Sequence, residues 1–246
     1  SSVAAAACDE EAGMQQAIGD LRGRSLSVHK WKIPRGWRDC AACGDCVESR
    51  SSLAGFIPCK VPLSPSFLEQ LPPHEALEYH QYFTPSQLID TQRRAFHREV
   101  GLVVDLTFTY KYYDGHEEFT SKGIEYLKIL TPGGGVELPA RESINTFLYY
   151  VSDFWRRRPT AHIAVHCTHG INRTGFFVVT FLIEHDMMGV SEAVERFAAC
   201  RSPGIWDEQF LLHFYRTYGS GHEHSIAYPT PPPWSNRHKK RGEERG

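Results

Sequence analysis

Twelve residues from Val165 to Phe176, VHCTHGINRTGF, restrict the possible folds more than any other stretch of the sequence. They follow one apolar run and precede another, which predicts a strand, a short loop and a helix. The loop holds Cys167 and Arg173 in the spacing Cys-x5-Arg, followed by Thr174 and a glycine. In an open α/β sheet, ligands bind where strands end, and a helix amino terminus there attracts anions. The stretch therefore predicts an α/β fold with an anion-binding loop.

Strands and helices alternate along the rest of the chain. Apolar runs predict strands over residues 101–107, 124–130 and 161–167, and helical spacing predicts helices over residues 84–99, 140–157, 174–187, 191–200 and 207–219. This alternation predicts a central, mostly parallel sheet flanked by helices. The segment FIPCKVPL contains two prolines, so we expect it to form a short strand at the edge of the sheet.

Composition divides the chain into three parts. Residues 1–28 are small and polar without sustained periodicity, and we expect them to be disordered. Residues 29–219 carry the alternating elements and form the predicted domain. Residues 220–246 are rich in proline and charge, which predicts a disordered tail or linker.

The bulk composition excludes several classes of protein. The net charge is -2, so a positive field that attracts a polyanion must be local. No apolar run approaches the roughly 18 residues that a membrane-spanning helix needs. Seven cysteines, an odd number, do not suggest a secreted disulfide framework. Cys40, Cys43 and Cys46 are too crowded for two regular zinc-binding pairs, so we expect loop cysteines and no metal site.

The Cys-x5-Arg segment predicts a specific chemistry. Backbone N–H groups of the loop, the helix dipole and Arg173 all favour a thiolate at Cys167. The planar guanidinium of Arg173 can hold two oxygens of one phosphoryl group. The Thr174 hydroxyl can hydrogen-bond the sulfur, and His166 can fix the loop. These roles predict phosphoryl transfer through a cysteinyl-phosphate. The alternative, a small buried cysteine beside a capping turn, does not explain why the complete Cys-x5-Arg-Thr-Gly pattern is present.

The stretch HCTHGINRTG resembles the signature of the cysteine-phosphatase superfamily, and its interior resembles the RNA 5′-triphosphatase branch found in metazoan-type mRNA capping enzymes. Further stretches, over about residues 29–219, are similar to the N-terminal domain of those enzymes: IPRGW, FIPCKVPL, GLVVDLTFTYKYYD, GIEYLKI, FAACRSPGIW and YRTYG. The stretch PPPW is similar to the linker that follows that domain. The resemblance implies a dual-specificity phosphatase-like fold.

The resemblance also implies an activity and its residues. It implies removal of the γ-phosphate from 5′-triphosphorylated nascent RNA, leaving a diphosphate end, as the first step of capping. It makes Cys167 the nucleophile and Arg173 the phosphate-binding arginine, with a backbone cradle formed by the intervening loop residues, which are Thr168, His169, Gly170, Ile171 and Asn172. It implies no cofactor, a nuclear location, and a guanylyltransferase domain or protein and RNA polymerase II as partners.

The expected general acid is absent from its usual loop. Protein-directed relatives carry an aspartate upstream of the cysteine, whereas the stretch LTPGGGVELPARE has none and its first carboxylate is Glu137. A phosphoanhydride leaving group needs little protonation, so the missing aspartate favours a triphosphate substrate over phosphotyrosine. Glu137 is either an acid or a solvated loop carboxylate. Asp105 either takes part in the pocket or caps the turn after its strand.

Two basic residues complete the candidate substrate-binding set. Lys111, beside two tyrosines, is expected to meet RNA phosphates, with base stacking on the rings. Arg201 either lines the pocket or caps a helix. Two alternatives stay open: a stand-alone RNA phosphatase that continues to the monophosphate, and a dual-specificity protein or lipid phosphatase. The sequence KYYDG is one residue longer than the Lys-x-Asp-Gly nucleophile motif of guanylyltransferases, so the chain is not expected to transfer guanylate itself.

Overall fold

The computed structural model describes residues 31–133, 137–219 and 226–235. The chain divides into two compact units after Lys32, and the second unit, from Ile33 onward, contains every strand and helix of the described residues. The segment 1–28, which the sequence predicts to be disordered, lies outside the described residues. Within the described part of the chain, no helix has the length and apolar character needed to cross a membrane.

The centre of the fold is a five-stranded sheet in the order β1-β2-β5-β3-β4. Its strands are β1 (Val47–Glu48), β2 (Gly55–Cys59), β3 (Val100–Asp105), β4 (Glu125–Lys128) and β5 (His162–His166). β2, β5, β3 and β4 run parallel to one another, and only β1 is antiparallel to its neighbour. The predicted α/β fold with a mostly parallel sheet is confirmed.

Helices form the flanking layers, and the five longest lie at positions that the sequence pattern predicts, whereas the two short ones were not predicted. They are α1 (Pro65–Glu69), α2 (Pro85–Phe96), α3 (Gly115–Glu118), α4 (Arg141–Arg157), α5 (Asn172–Glu184), α6 (Val190–Cys200) and α7 (Glu208–Tyr218). Helix α5 is buried on all sides from Thr174 to Ile183, which explains its continuous apolar sequence. Because α5 lies at the centre of the packed layers, its amino terminus is held rigidly.

The core beside the sheet is largely aromatic. Phe56 from β2 lies 4.7 Å from the ring centroid of Trp155 and 5.3 Å from that of Phe181. Phe147 of α4 packs against the same group, with ring centroids 6.0 Å from Phe56. These contacts join β2, α4 and α5 into one unit, so the strand ends that carry the loop cannot move independently.

The prediction of an edge strand at FIPCKVPL is wrong, because β2 lies between β1 and β5. Pro58 is opposite Val165 of β5, and its carbonyl accepts a hydrogen bond from the backbone N–H of Gly44 at 2.7 Å on the other side. Since the N and C=O of a strand residue point to the same side, the missing N–H of Pro58 faces the Gly44 side. The hydrogen bonds between β2 and β5 therefore lose no donor. For this reason a proline is tolerated in an internal strand.

Part of the predicted tail belongs to the folded unit. Residues 226–235 are described, whereas the flanking stretches 220–225 and 236–246 lie outside the described residues. Trp234 stacks on His169, and Ser235 is buried. The expectation of disorder is therefore wrong for residues 226–235, because Trp234 of this proline-rich stretch packs against His169 of the domain.

Candidate active site

The loop from Cys167 to Ile171 joins the end of β5 to the start of α5. Gly170 adopts a left-handed backbone conformation with φ of 68°, and a Cβ atom there would overlap the carbonyl group of Cys59. Only glycine satisfies both conditions without strain. The loop also accepts a hydrogen bond from the segment that follows β2, since the Val61 N–H donates to the Thr168 carbonyl at 3.2 Å. The end of β2 and the residues after it thus support the loop.

Cys167 lies at the base of this loop with 3% of its surface exposed. Burial by itself raises the pKa of the thiol. The Arg173 guanidinium, the Thr174 hydroxyl and two backbone N–H groups stabilise the thiolate more strongly, so the pKa falls from 9.0 to about 7. The Thr174 hydroxyl is buried, and its interaction with the sulfur is one of the causes that lower the pKa of Cys167. A nucleophilic thiolate is thus available near neutral pH.

Arg173 is held in place before any anion binds. Its Nη1 donates to the carbonyl oxygens of Leu106 at 3.0 Å and Thr131 at 2.8 Å, and its Nη2 donates to the Thr168 hydroxyl at 3.0 Å. The guanidinium therefore joins the ends of three segments around Cys167. A fixed planar cation beside a thiolate is suited to binding a phosphoryl group with two oxygens.

Arg201 is buried and contacts the loop from outside. Its Nε donates to the Gly170 carbonyl at 3.1 Å, and its Nη2 donates to the carbonyls of His169 at 2.7 Å and Ala41 at 2.9 Å. A cation that holds the loop carbonyls on one side leaves the backbone N–H groups to face the other. The contacts of Arg201 assign it to the support of the loop.

Asn172 anchors a second segment to the loop. Its Oδ1 accepts hydrogen bonds from the backbone N–H groups of Trp206 at 3.0 Å and Asp207 at 3.2 Å. The stretch that leads into α7 is thereby fixed beside the start of α5. This contact brings residues that are distant in sequence next to Cys167.

A buried network lies behind the loop. His166 is fully buried, with Nε2 at 2.6 Å from the Tyr113 hydroxyl and Nδ1 at 3.3 Å from the Cys167 carbonyl. Burial lowers the pKa of His166 despite a nearby carboxylate, which favours the neutral ring. A neutral ring with the proton on Nδ1 accepts from Tyr113 and donates toward Cys167. His166 thus orients the carbonyl of Cys167 and does not face the cavity.

Asp105 belongs to this network. Its Oδ1 accepts from the Thr107 N–H at 2.7 Å, and its Oδ2 accepts from the Tyr126 hydroxyl at 3.0 Å and from Lys128 Nζ at 2.8 Å. Burial opposes ionisation, but the Lys128 ammonium and the Thr107 N–H lower the pKa of Asp105. The carboxylate caps the turn after β3, which is the structural role that the sequence allowed. Sequence reasoning missed Lys128 and Tyr126, because neither residue belongs to a motif that indicates a contact with Asp105.

A cavity of about 390 Å³ opens above the loop. Six of the sequence-predicted residues line it: Cys167, Thr168, His169, Ile171, Asn172 and Arg173. Six others do not: Asp105, Lys111, His166, Gly170, Thr174 and Arg201. Lys111 instead lies with its Nζ 5.0 Å from the ring centroid of Tyr112. Glu137 is exposed at the mouth and lines the cavity.

Sequence reasoning missed part of the cavity wall. Besides Pro132, Gly133 and Glu137, the additional lining residues come from three segments far apart in the chain: Pro34 and Arg35, Trp206, Asp207 and Phe210, and Trp234 and Ser235. The stretches IPRGW, RSPGIW and PPPW contain several of them, but their spacing does not indicate a shared site. Among the described residues, no three His, Cys, Asp or Glu side chains converge as a metal site.

The chain is similar in sequence to known proteins over most of its length. It is 36% identical over 202 residues to the mRNA-capping enzyme of Mus musculus, covering 82% of this chain and 31% of that protein. It is 36% identical over 196 residues to the RNA/RNP complex-1-interacting phosphatase of Homo sapiens, covering 78% and 55% respectively. The chain thus spans about a third of the first relative and about half of the second. No model of a known protein family matches it.

A third relative matches over most of its own length. The chain is 33% identical over 197 residues to a tyrosine-protein phosphatase 1 sequence of Orgyia pseudotsugata multicapsid polyhedrosis virus, covering 80% of this chain and 79% of that one. The crystal structure of a kinase-associated phosphatase shares the fold, with a TM-score of 0.51 and 12% identity over 74% of this chain and 96% of that one. Since the viral relative matches over most of its own length, the chain belongs to the cysteine-phosphatase family, in the group that includes mRNA-capping enzymes and RNA/RNP complex-1-interacting phosphatases.

Proposed function

We propose that the protein is an RNA 5′-triphosphatase that removes the γ-phosphate of 5′-triphosphorylated RNA and leaves a 5′-diphosphate, the first step of mRNA capping. The observation that carries the proposal is a Cys167 thiol with a pKa of about 7 at the base of a cavity that Arg173 also lines. Relatives named for mRNA capping and for RNA interaction support the choice of RNA as the substrate.

The reaction begins with attack of the Cys167 sulfur on the γ-phosphorus. As the S–P bond forms, the bond from that phosphorus to the β–γ bridging oxygen breaks, and the RNA diphosphate leaves with the electron pair. The loop N–H groups and the Arg173 guanidinium stabilise the charge on the equatorial oxygens. Water then attacks the cysteinyl-phosphate, and the Thr174 hydroxyl stabilises the departing thiolate. Phosphate is released and the thiolate is regenerated.

The surroundings of the leaving group fit a phosphoanhydride. Two carboxylates line the cavity, Glu137 and Asp207. The Asp207 side chain accepts a hydrogen bond from the Gln209 N–H at 3.1 Å and caps the amino terminus of α7, so its role is structural. Glu137 remains the candidate acid, one of the two roles that the sequence leaves open for it. A diphosphate leaves with its charge spread over several oxygens and needs little help from an acid.

The cellular setting follows from the same proposal. The product, a 5′-diphosphate end, is the substrate for guanylyl transfer, so we propose a guanylyltransferase domain or protein as the functional partner. Nascent transcripts arise at RNA polymerase II, which makes the polymerase a second proposed partner and the nucleus the proposed location. The capping-enzyme relatives are about three times as long as the matched region, which leaves room in them for a second domain.

The first test is γ-phosphate release from a short 5′-triphosphorylated RNA in EDTA, with the RNA ends resolved and the Cys167→Ser protein as the control. We expect release that depends on Cys167, needs no added metal and stops at the diphosphate. Continuation to the monophosphate would assign the protein to the stand-alone RNA phosphatases. Turnover of a phosphotyrosine peptide or a phosphoinositide, with none of the RNA, would overturn the proposal.

A further inference from the structure

The carboxy-terminal segment forms one wall of the cavity. The ring of Trp234 stacks on His169 of the phosphate-binding loop, with centroids 4.4 Å apart and planes 30° apart. A Cβ atom on Gly36 would overlap the Trp234 ring, so this glycine allows the ring its close approach. The segment is closed by a turn in which the Ser235 N–H donates to the Pro232 carbonyl at 2.8 Å. Trp234 is therefore fixed relative to the loop.

A second tryptophan is fixed to the same loop at another point. The backbone of Trp206 is bonded to the Asn172 side chain at 3.0 Å, and its ring lies 6.4 Å from that of Trp234 at an angle of 79°. Both residues line the cavity that contains Cys167 and Arg173. Two aromatic side chains from segments 28 positions apart in the sequence are thus held next to the phosphate-binding floor.

The shape and chemistry of the cavity call for a ligand larger than a phosphoryl group. Its volume of about 390 Å³ lies within the roughly 300–1,000 Å³ typical of sites for organic ligands. The floor is polar and cationic, whereas the rim contains Trp206, Trp234, Phe210 and Pro34. A ligand that fits has a phosphorylated end and an apolar, planar body attached to it.

We propose that Trp206 and Trp234 form a nucleoside subsite that binds the first nucleoside of the RNA while its triphosphate reaches Cys167. This inference rests on the proposed function and adds the contact that distinguishes an RNA end from a bare polyphosphate. Bases pack on aromatic rings with little dependence on base identity. The subsite therefore contributes affinity for any transcript, whatever its first base. It also gives residues 226–235 a role in the site, although the sequence places them in a tail.

The test compares two ligands that share the phosphoanhydride chain and differ in the nucleoside. The first is a short 5′-triphosphorylated RNA, for which KM and kcat are measured. The second is inorganic tripolyphosphate, measured by its Ki as a competitive inhibitor of that reaction. Both are determined for the wild-type protein, for Trp234→Ala and for Trp234→Phe. Tyr149→Ala is the matched control, because this aromatic side chain is 76% exposed on α4 and does not line the cavity.

For Trp234→Ala we expect KM for the RNA to rise roughly tenfold, the scale of one lost base contact. The ratio of this KM to the Ki of tripolyphosphate rises with it, and Trp234→Phe restores most of the loss. A parallel weakening of both ligands would mean that Trp234 only supports the loop, and equal KM values for all variants would mean that no base contacts it. Either result overturns the subsite. Failure of the proposed function is distinct, since the wild-type protein would then release no γ-phosphate from RNA.

Discussion

In the proposed reaction, the thiol of Cys167 determines the pH at which the protein can act. A pKa of about 7 in place of 9.0 raises the thiolate fraction at neutral pH from about 1% to about half. The change comes from Arg173, Thr174 and the loop N–H groups acting against the cost of burial. Because the protonated thiol is a poor nucleophile, the rate follows the deprotonated fraction.

We expect kcat/KM to rise with pH below about 7 and to level off above it, since the lowered pKa makes the thiolate available from that pH upward. Thr174→Val removes the hydroxyl that stabilises the thiolate, so the rise moves to higher pH. The same change slows hydrolysis of the cysteinyl-phosphate, which appears as a larger burst in rapid-quench kinetics. A pH profile that is identical in both proteins would contradict the role of Thr174.

The sequence predicts that Cys167 and Arg173 lie close together, and both line one cavity, but it does not predict the walls around them. Cys167 and Arg173 lie at opposite ends of one short loop, in the loop and in the first turn of α5, so their spacing alone indicates that they meet. Trp206 and Trp234 reach the cavity only because Asn172 and His169 hold their segments there, and no local pattern encodes such contacts. Arg201 illustrates the same limit, since its three carbonyl partners are visible only in the folded chain.

The loop from Cys167 to Ile171 depends on β2 as well as on the strand and helix that it joins. Gly170 lies against the backbone of Cys59 at the end of β2, and it has a positive φ of 68°. Gly123 has a similar φ of 79°, but a Cβ atom there would meet nothing within 4 Å. A substitution at Gly123 therefore measures the cost of backbone strain alone. A substitution at Gly170 adds the cost of displacing the loop from β2.

We expect Gly123→Ala to lower the free energy of unfolding by about 1–2 kcal/mol, the cost of a left-handed alanine, and to leave kcat/KM within twofold. Gly170→Ala adds an overlap with backbone that cannot move aside, so it costs more stability and lowers kcat/KM more than tenfold. Urea denaturation and RNA triphosphatase assays measure the two quantities. Equal effects of the two substitutions would contradict the support of the loop by β2.

Helices and central strands follow from sequence periodicity, whereas strand order does not. The helix over 84–99 is predicted from Thr84, Pro85 and Gln87, and α2 has that capping box. β2 is misplaced at an edge because a proline argues against an internal strand. The direction in which Pro58 faces, which decides the question, depends on the pairing of the whole sheet.

At the largest scale, the unit from Ile33 onward is stabilised by the aromatic core between β2, α4 and α5. Phe181 is fully buried and contacts Phe56, Phe147 and Trp155. We expect Phe181→Ala to lower the free energy of unfolding by about 3–5 kcal/mol through lost burial and the cavity left behind. Leu53→Ala is the control, because this side chain is 83% exposed and its loss costs less than about 0.5 kcal/mol. Denaturant unfolding measures both changes, and similar midpoints for the two variants would contradict this account of the core.

The two outermost strands of the sheet have a consequence for the behaviour of the protein at high concentration. β1 has only 2 residues and β4 only 4, so neither offers a long row of free backbone groups to a strand of another molecule. The folded domain is therefore a poor template for aggregation by strand addition. Aggregation on heating must start from opened chains, in which the apolar segments of β3 and β5 are no longer covered.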